Sequence, residues 1–182
     1  YDCKYCPNET KSNGAEYDMP RSYLSSEPAV MRAMEFDFDI VKQFKSRVGT
    51  LKNNGHAIDK VEIIVLGGTF SSYPREYQVE AMRDLFFASN TCFESREERY
   101  SLHAEQKINE KAAIKIIGIS LETRPDQINK FELRRFRELG CTRIQIGVQH
   151  TSNTILEIIN RKHDVTCSIN AIKLMKDFGF KV

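Results

Sequence analysis

Val61-Glu62-Ile63-Ile64-Val65-Leu66 runs directly into Gly67-Gly68-Thr69-Phe70. A short apolar run closed by a glycine pair reads as a buried strand that ends in a turn. Two similar runs follow downstream. Residues 114–121 (IKIIGISL) lead into Glu122-Thr123-Arg124-Pro125-Asp126, and residues 143–148 (RIQIGV) lead into Gln149-His150.

Helical spacing fills the intervals. Ile40, Val41, Phe44, Val48 and Leu51 recur at helical period, with Asp39 as N-cap and Gly55 as the stop. Pro74 can start a second helix, with Val79, Met82 and Phe86 on one face. A third covers roughly 129–139, carries Phe131, Phe136 and Leu139, and is closed by Gly140. Helical segments at about 152–160 and 165–178 come last, with Gly179 after them. Residues 1–35 read as irregular, with Pro7, Gly14, Pro20 and Pro28. Residues 91–111 read as a charged excursion with a short helix near 104–111.

Strands alternating with helices imply right-handed crossovers and a parallel sheet. Continuously apolar strands agree with a sheet covered on one or both faces. The fold class is therefore α/β, a partial (β/α) barrel of parallel strands with outer helices. The chain reads as truncated at both ends: it opens inside a loop, and a new strand should begin after Gly179.

Composition narrows the function classes. The 182 residues are 29% charged and 41% hydrophobic, which is a globular balance. Lys+Arg 27 against Asp+Glu 25 leaves +2, so nucleic-acid binding would need a local patch. No run approaches the roughly 20 apolar residues of a membrane span, and no signal peptide is seen. Of five cysteines only Cys3 and Cys6 are close together. That excludes a secreted disulfide framework and fits a reducing, cytosol-like compartment. Cys92, Cys141 and Cys167 read as small buried hydrophobes.

Ligands of parallel α/β folds bind beyond the carboxyl ends of the strands. That rule gathers Gly67-Gly68-Thr69, Glu122 with Arg124, and Gln149 onto one rim, where the loop carrying Cys3 and Cys6 would also lie. Singly these signals are weak. A Gly-Gly is most often a tight turn, and Glu122 with Arg124 could be a surface ion pair. The Cys-x-x-Cys could be half a zinc knuckle, although no second pair exists, or a thioredoxin-type pair, although Pro7 does not suit the helix that pair opens.

Together they are specific. Cys3-Lys4-Tyr5-Cys6 upstream of a strand ending in Gly-Gly resembles the radical S-adenosylmethionine (SAM) superfamily. VEIIVLGGTF (61–70), GISLETRPD (118–126), GCTRIQIGVQ (140–149) and Asn160-Arg161-Lys162-His163 resemble, more narrowly, the family of Elongator catalytic subunits. Ser25-Ser26-Glu27-Pro28 through Met31-Arg32-Ala33 also fits, and the resemblance covers nearly the whole chain.

The resemblance implies a 4Fe-4S cluster held by three cysteines, with one iron left open to chelate SAM. Cys3 and Cys6 match the second and third, and the first is expected upstream of Tyr1. One electron then cleaves SAM to a 5′-deoxyadenosyl radical. Gly67, Gly68 and Thr69 would lie along the methionyl amine, Glu122 would hold the ribose hydroxyls, and Arg124 would pair with the SAM carboxylate. Gln149 would contact ribose or adenine. Lys60 matches a lysine that contacts acetyl-CoA, the carbon donor.

The implied reaction is carboxymethylation of carbon 5 of the wobble uridine in tRNA, by a transferase that joins this core to an acetyltransferase domain. The implied partners are tRNA, that domain and other Elongator subunits. The implied location is the cytoplasm, with the nucleus as a second site. Candidate tRNA contacts are Arg21, Arg32, Lys42, Lys45, Arg47, Arg75, Arg143, Arg161 and Lys162, with Tyr17, Tyr23 and Tyr73 placed to stack on bases. The competing readings are a non-catalytic tRNA-binding scaffold barrel and a zinc-binding interaction domain.

Overall fold

The structure is a computed structural model and describes residues 3–182. Its elements in chain order are α1 (Pro28–Glu35), α2 (Ile40–Asn53), β1 (Lys60–Val65), α3 (Arg75–Asn90), α4 (Leu102–Asn109), β2 (Lys115–Thr123), α5 (Lys130–Glu138), β3 (Arg143–Ile146), α6 (Asn153–Ile158) and α7 (Val165–Asp177). The sheet has the order β1-β2-β3, and both pairings are parallel. The expected α/β arrangement of parallel strands and helices is therefore present. After Gly179 the chain pairs again: Lys181 forms a parallel bridge with Arg143.

Local chemistry explains the helix starts. Asp39, Ser101, Asn129 and Asp164 each cap a helix by accepting the backbone N–H of its third residue. Each cap contributes about 1 kcal/mol. Pro28 occupies the first turn of α1, where its missing N–H costs nothing. That helix lies inside the stretch read as irregular. It is only 8 residues long and buries none of them, and it follows directly on the turn formers that dominate the stretch.

The core forms where one sheet face meets the helices. Ile119 and Leu121 of β2 and Ile144 of β3 pack with Met82 of α3, Leu133 and Phe136 of α5 and Met175 of α7, all essentially buried. Each such burial contributes about 1.5–3 kcal/mol. The register is fixed by Val65 opposite Leu121 and Leu121 opposite Ile144.

Several expectations are corrected. β1 is an edge strand whose residues alternate between exposed and half-buried, with Ile64 54% exposed, so it is not a buried strand. β3 also alternates, because Gln145 faces away from the core that takes Ile144. On α3 the buried stripe runs Gln78, Met82, Leu85, Ser89, and Val79 faces out. Phe131 is 61% exposed beneath the Arg75 guanidinium. Of the three single cysteines only Cys141 is buried; Cys92 and Cys167 are half-buried.

The excursion at 91–111 is tied down by a buried polar cluster. Glu105 is fully buried and receives both Arg96 nitrogens, at 2.7 and 2.8 Å, together with the Asn90 amide and the Tyr100 N–H. Asn109 joins it through Asn90 and Ser89. Every lone pair of the carboxylate has a donor, so its burial is compensated.

Candidate functional site: a cavity at the carboxyl ends of the strands

One cavity of about 760 Å³ opens beyond the carboxyl ends of the three strands. Gly67, Gly68, Thr69, Glu122, Arg124 and Gln149 line it together with Cys3 and Cys6. Four stretches separated in sequence are thus brought to one rim. The structure does not bring Lys60 there. It stands exposed at the start of β1, about 20 Å from the rim at roughly 3.3 Å per residue.

Gly68 adopts a left-handed backbone, φ +71°, which lets the chain turn sharply off β1. The space that a side chain would take at Gly67 and Gly68 is bordered by the Tyr73 and Tyr23 rings, each at 3.5 Å. Tyr23 reaches across the cavity. Its hydroxyl accepts from the Gly67 and Gly68 N–H groups at 3.1 and 3.2 Å and donates to Glu122 Oε2 at 2.8 Å. Burial and the neighbouring Glu122 carboxylate push its phenol up to about 12.

Cys3 is buried at the cavity wall, and Cys6 is half-buried. A turn joins them, with Cys6 N–H donating to the Cys3 carbonyl at 3.2 Å. Arg161 lies against Cys3: one terminal nitrogen is 3.4 Å from the sulfur and the other donates to the Gly147 carbonyl at 2.6 Å. Burial alone would raise the Cys3 thiol. The hydrogen bond and charge of Arg161, with the charge of Arg124 nearby, outweigh it and hold the thiol below its ordinary value.

The backbone is bent to make this contact. Asn160 and Lys162, on either side of Arg161, are both left-handed, at φ +59° and +34°. At Gly147 a Cβ would sit 2.8 Å from the Arg161 guanidinium and 2.9 Å from the Gln149 amide nitrogen, so both side chains would have to shift. Gln149 is also left-handed, φ +71°, and its carbonyl oxygen accepts from the Tyr5 hydroxyl. Arg124 is 3% exposed and engages Asp126 through Nε and a terminal nitrogen, at 2.9 and 3.3 Å. It is a buried residue whose ion pair is with Asp126.

Three candidate tRNA contacts are thereby relocated. Arg161 is buried against Cys3, Tyr23 spans the cavity, and Tyr73 donates to the Gly67 carbonyl and packs on Phe70 and Tyr77. Arg75 lies over Phe131 and pairs with Glu132 at 3.6 Å. Lys42, Arg47 and Lys162 remain exposed. Gly147 belongs to a strand end that the rule already gathers on the rim, but sequence reading did not place Tyr5, Tyr23 or Arg161 at the cavity. Tyr5 stands between the two cysteines and Arg161 in the Asn160–His163 run, while Tyr23 carried no signal beyond being an aromatic residue among basic ones.

A 4Fe-4S cluster needs thiolate ligands beside an open cavity. Cys3 and Cys6 fit two of the three positions by their side-chain chemistry, their shared turn and the cations that favour a thiolate at Cys3. Among the described residues no group of three or more His, Cys, Asp or Glu is placed to hold a metal ion. No helix among them is long and apolar enough to cross a membrane.

Comparison with known proteins agrees with this geometry. The family model described as the radical SAM superfamily matches residues 1–182. A tRNA uridine(34) acetyltransferase of Methanocaldococcus infernus is 40% identical over 99% of the chain, which spans 32% of that protein. Elongator complex protein 3 of Mus musculus is 39% identical, again over 99% of the chain and 32% of its own length. The chain thus spans about a third of the relatives it matches. The solved structure titled as the archaeal Methanocaldococcus infernus Elp3 with an N-terminal deletion superposes with a TM-score of 0.75 at 39% identity, over 82% of this chain and 34% of that one. Membership of the matched family implies SAM and a 4Fe-4S cluster as cofactors. With its parallel sheet, its cysteine turn and the glycine pair closing β1, the chain belongs to the radical SAM superfamily.

Proposed function

We propose that this chain is the radical SAM core of a tRNA-modifying enzyme that uses acetyl-CoA to carboxymethylate carbon 5 of the wobble uridine. The observation that carries the reading is the single cavity shared by Cys3, Cys6, Gly67, Gly68, Thr69, Glu122, Arg124 and Gln149. The similarity to tRNA uridine(34) acetyltransferases and to Elongator complex protein 3 supplies the substrate class. Acetyl-CoA, tRNA, an acetyltransferase domain and other Elongator subunits are the partners in this proposal.

Cys3 and Cys6 would hold the cluster with a third thiolate expected upstream of Tyr1. Once bound, cluster and SAM together would supply a carbon-centred radical by one-electron chemistry. The chain's own residues prepare the pocket. Arg161 and Arg124 stabilise negative charge at Cys3. Glu122 presents a carboxylate to a vicinal diol, and Gly67 and Gly68 allow close backbone approach. Lys60 would act apart from this pocket, at the other end of β1, on the acetyl-CoA side of the reaction.

Anaerobic reconstitution with iron and sulfide, on the protein extended upstream of Tyr1 to include the third cysteine, tests the reading. Iron uptake with broad visible absorption, and reductive cleavage of SAM to 5′-deoxyadenosine, are expected. Iron uptake unchanged by Cys6→Ser would remove Cys6 as a ligand. Bound iron without 5′-deoxyadenosine would favour the scaffold barrel, and zinc in place of iron the interaction domain.

A further inference from the structure

The Tyr23 hydroxyl is saturated. A phenol offers one donor and two acceptor lone pairs. Here the proton goes to Glu122 Oε2 and the lone pairs take the Gly67 and Gly68 N–H groups. This one oxygen therefore joins the end of β1 to the end of β2, across 44 and 99 residues of sequence. It has no capacity left for a nucleic-acid contact or for a ligand of its own.

Its effect is on Glu122. With Oε2 committed to Tyr23, the carboxylate has one preferred rotation, and Oε1 carries no hydrogen bond from the described residues. A carboxylate free to turn would give a diol two equivalent faces. A pinned carboxylate gives it one, already oriented before the ligand arrives.

The segment that delivers Tyr23 is built for that placement. Tyr23 N–H closes a turn onto the Pro20 carbonyl at 3.0 Å, and Ser22, third in the turn, is left-handed at φ +86°. A serine held in that conformation is strained and persists only where its surroundings fix it. Arg21 of the same turn donates to the Cys3 carbonyl at 3.2 Å. One four-residue turn thus spans from the cysteine loop to the glycine pair and Glu122.

We propose that Tyr23 is a positioning residue of the SAM site: its hydroxyl locks Glu122 and the Gly67–Gly68 turn into one geometry, so that the ribose diol meets a carboxylate of set orientation. This rests on the reading of the cavity as the SAM site.

The test is a double-mutant cycle on the protein reconstituted with the upstream cysteine present, with SAM affinity measured by calorimetry in wild type, Tyr23→Phe, Glu122→Gln and the double variant. Tyr23→Phe is expected to weaken SAM about tenfold, the scale of one hydrogen bond to a charged group. In the Glu122→Gln background it should weaken SAM by clearly less than in wild type, because part of its effect runs through Glu122 and the rest through the glycine turn. Equal affinity in Tyr23→Phe and wild type, or fully additive losses, overturns the proposal. Amide hydrogen exchange without SAM separates this from failure of the cavity reading. Tyr23→Phe should speed exchange at Gly67 and Gly68 alone, and unchanged exchange there overturns the junction itself. Faster exchange together with no SAM binding by wild type would keep the junction, discard the SAM reading, and with it the role proposed for Tyr23.

Discussion

The Arg161 guanidinium lies 3.4 Å from the Cys3 sulfur, across 158 residues of sequence. It joins the two ends of the chain at the cavity, together with the Lys4 N–H bond to the Ile159 carbonyl at 3.0 Å. It also explains why a stretch that reads as a basic surface run, Asn160-Arg161-Lys162-His163, turns inward at its second residue.

Replacing this cation should change the thiol directly. In Arg161→Gln the hydrogen bond and charge of Arg161 are lost, which leaves Arg124 alone to oppose the burial that raises the thiol. Alkylation of Cys3 in the metal-free protein near neutral pH, followed by mass spectrometry, is expected to slow several-fold relative to wild type. Unchanged alkylation would mean that the contact does not set the thiolate population.

Glu105 should make the fold acid-sensitive. Burial alone would raise its carboxyl, but Arg96, the Tyr100 amide and Asn90 lower it below the ordinary glutamate range. A group lowered in the folded state contributes stability that is fully present above its unfolded value, about 4.3, and is lost as pH falls through the folded value. Glu105→Ala is expected to cost about 3 kcal/mol near neutral pH by leaving Arg96 without its partner. The cost should shrink below about pH 4, where wild type loses the same interaction. Urea unfolding at two pH values measures both.

Ser22→Gly relieves a strained turn. Serine at φ +86° costs on the order of 1 kcal/mol relative to glycine, even after glycine's greater freedom in the unfolded chain. Thermal unfolding should shift up by about 2–4 °C for a chain of this size. A downward shift would show that the Ser22 side chain contributes more than its backbone costs.

Lys60 and the rim should respond to different ligands. Lys60→Ala is expected to leave SAM affinity at the wild-type value, because Lys60 stands at the opposite end of β1 from Gly67. It should weaken acetyl-CoA binding in the same calorimetric experiment. An effect on SAM instead would place the lysine's role at the rim by some route that the strand does not suggest.

Much of the architecture could be read in advance because it rests on local rules. The Asp39 cap, the left-handed stops at Gly55, Gly140 and Gly179, and the three strands are where their residue types place them. The strand-end rule also collected the glycine pair, Glu122, Arg124 and Gln149 at one rim. Three of the errors share one cause. Val79, Phe131 and Ile64 are apolar, and periodicity reports that a face is apolar without reporting whether anything covers it. α3 instead turns Gln78 inward, where it bonds the Tyr73 carbonyl and Arg135.

The order of strands and helices, the caps and the cysteine spacing follow from the sequence by itself, since each depends on residues a few positions apart. The partners of Tyr23, Arg161 and Glu105 were decided only by the tertiary structure. A tyrosine, an arginine or a glutamate carries the same local signal on a surface as in a buried junction. What distinguishes the two is the desolvated donor or acceptor that meets it, from 99 residues away at Tyr23, 158 at Arg161 and 9 at Glu105.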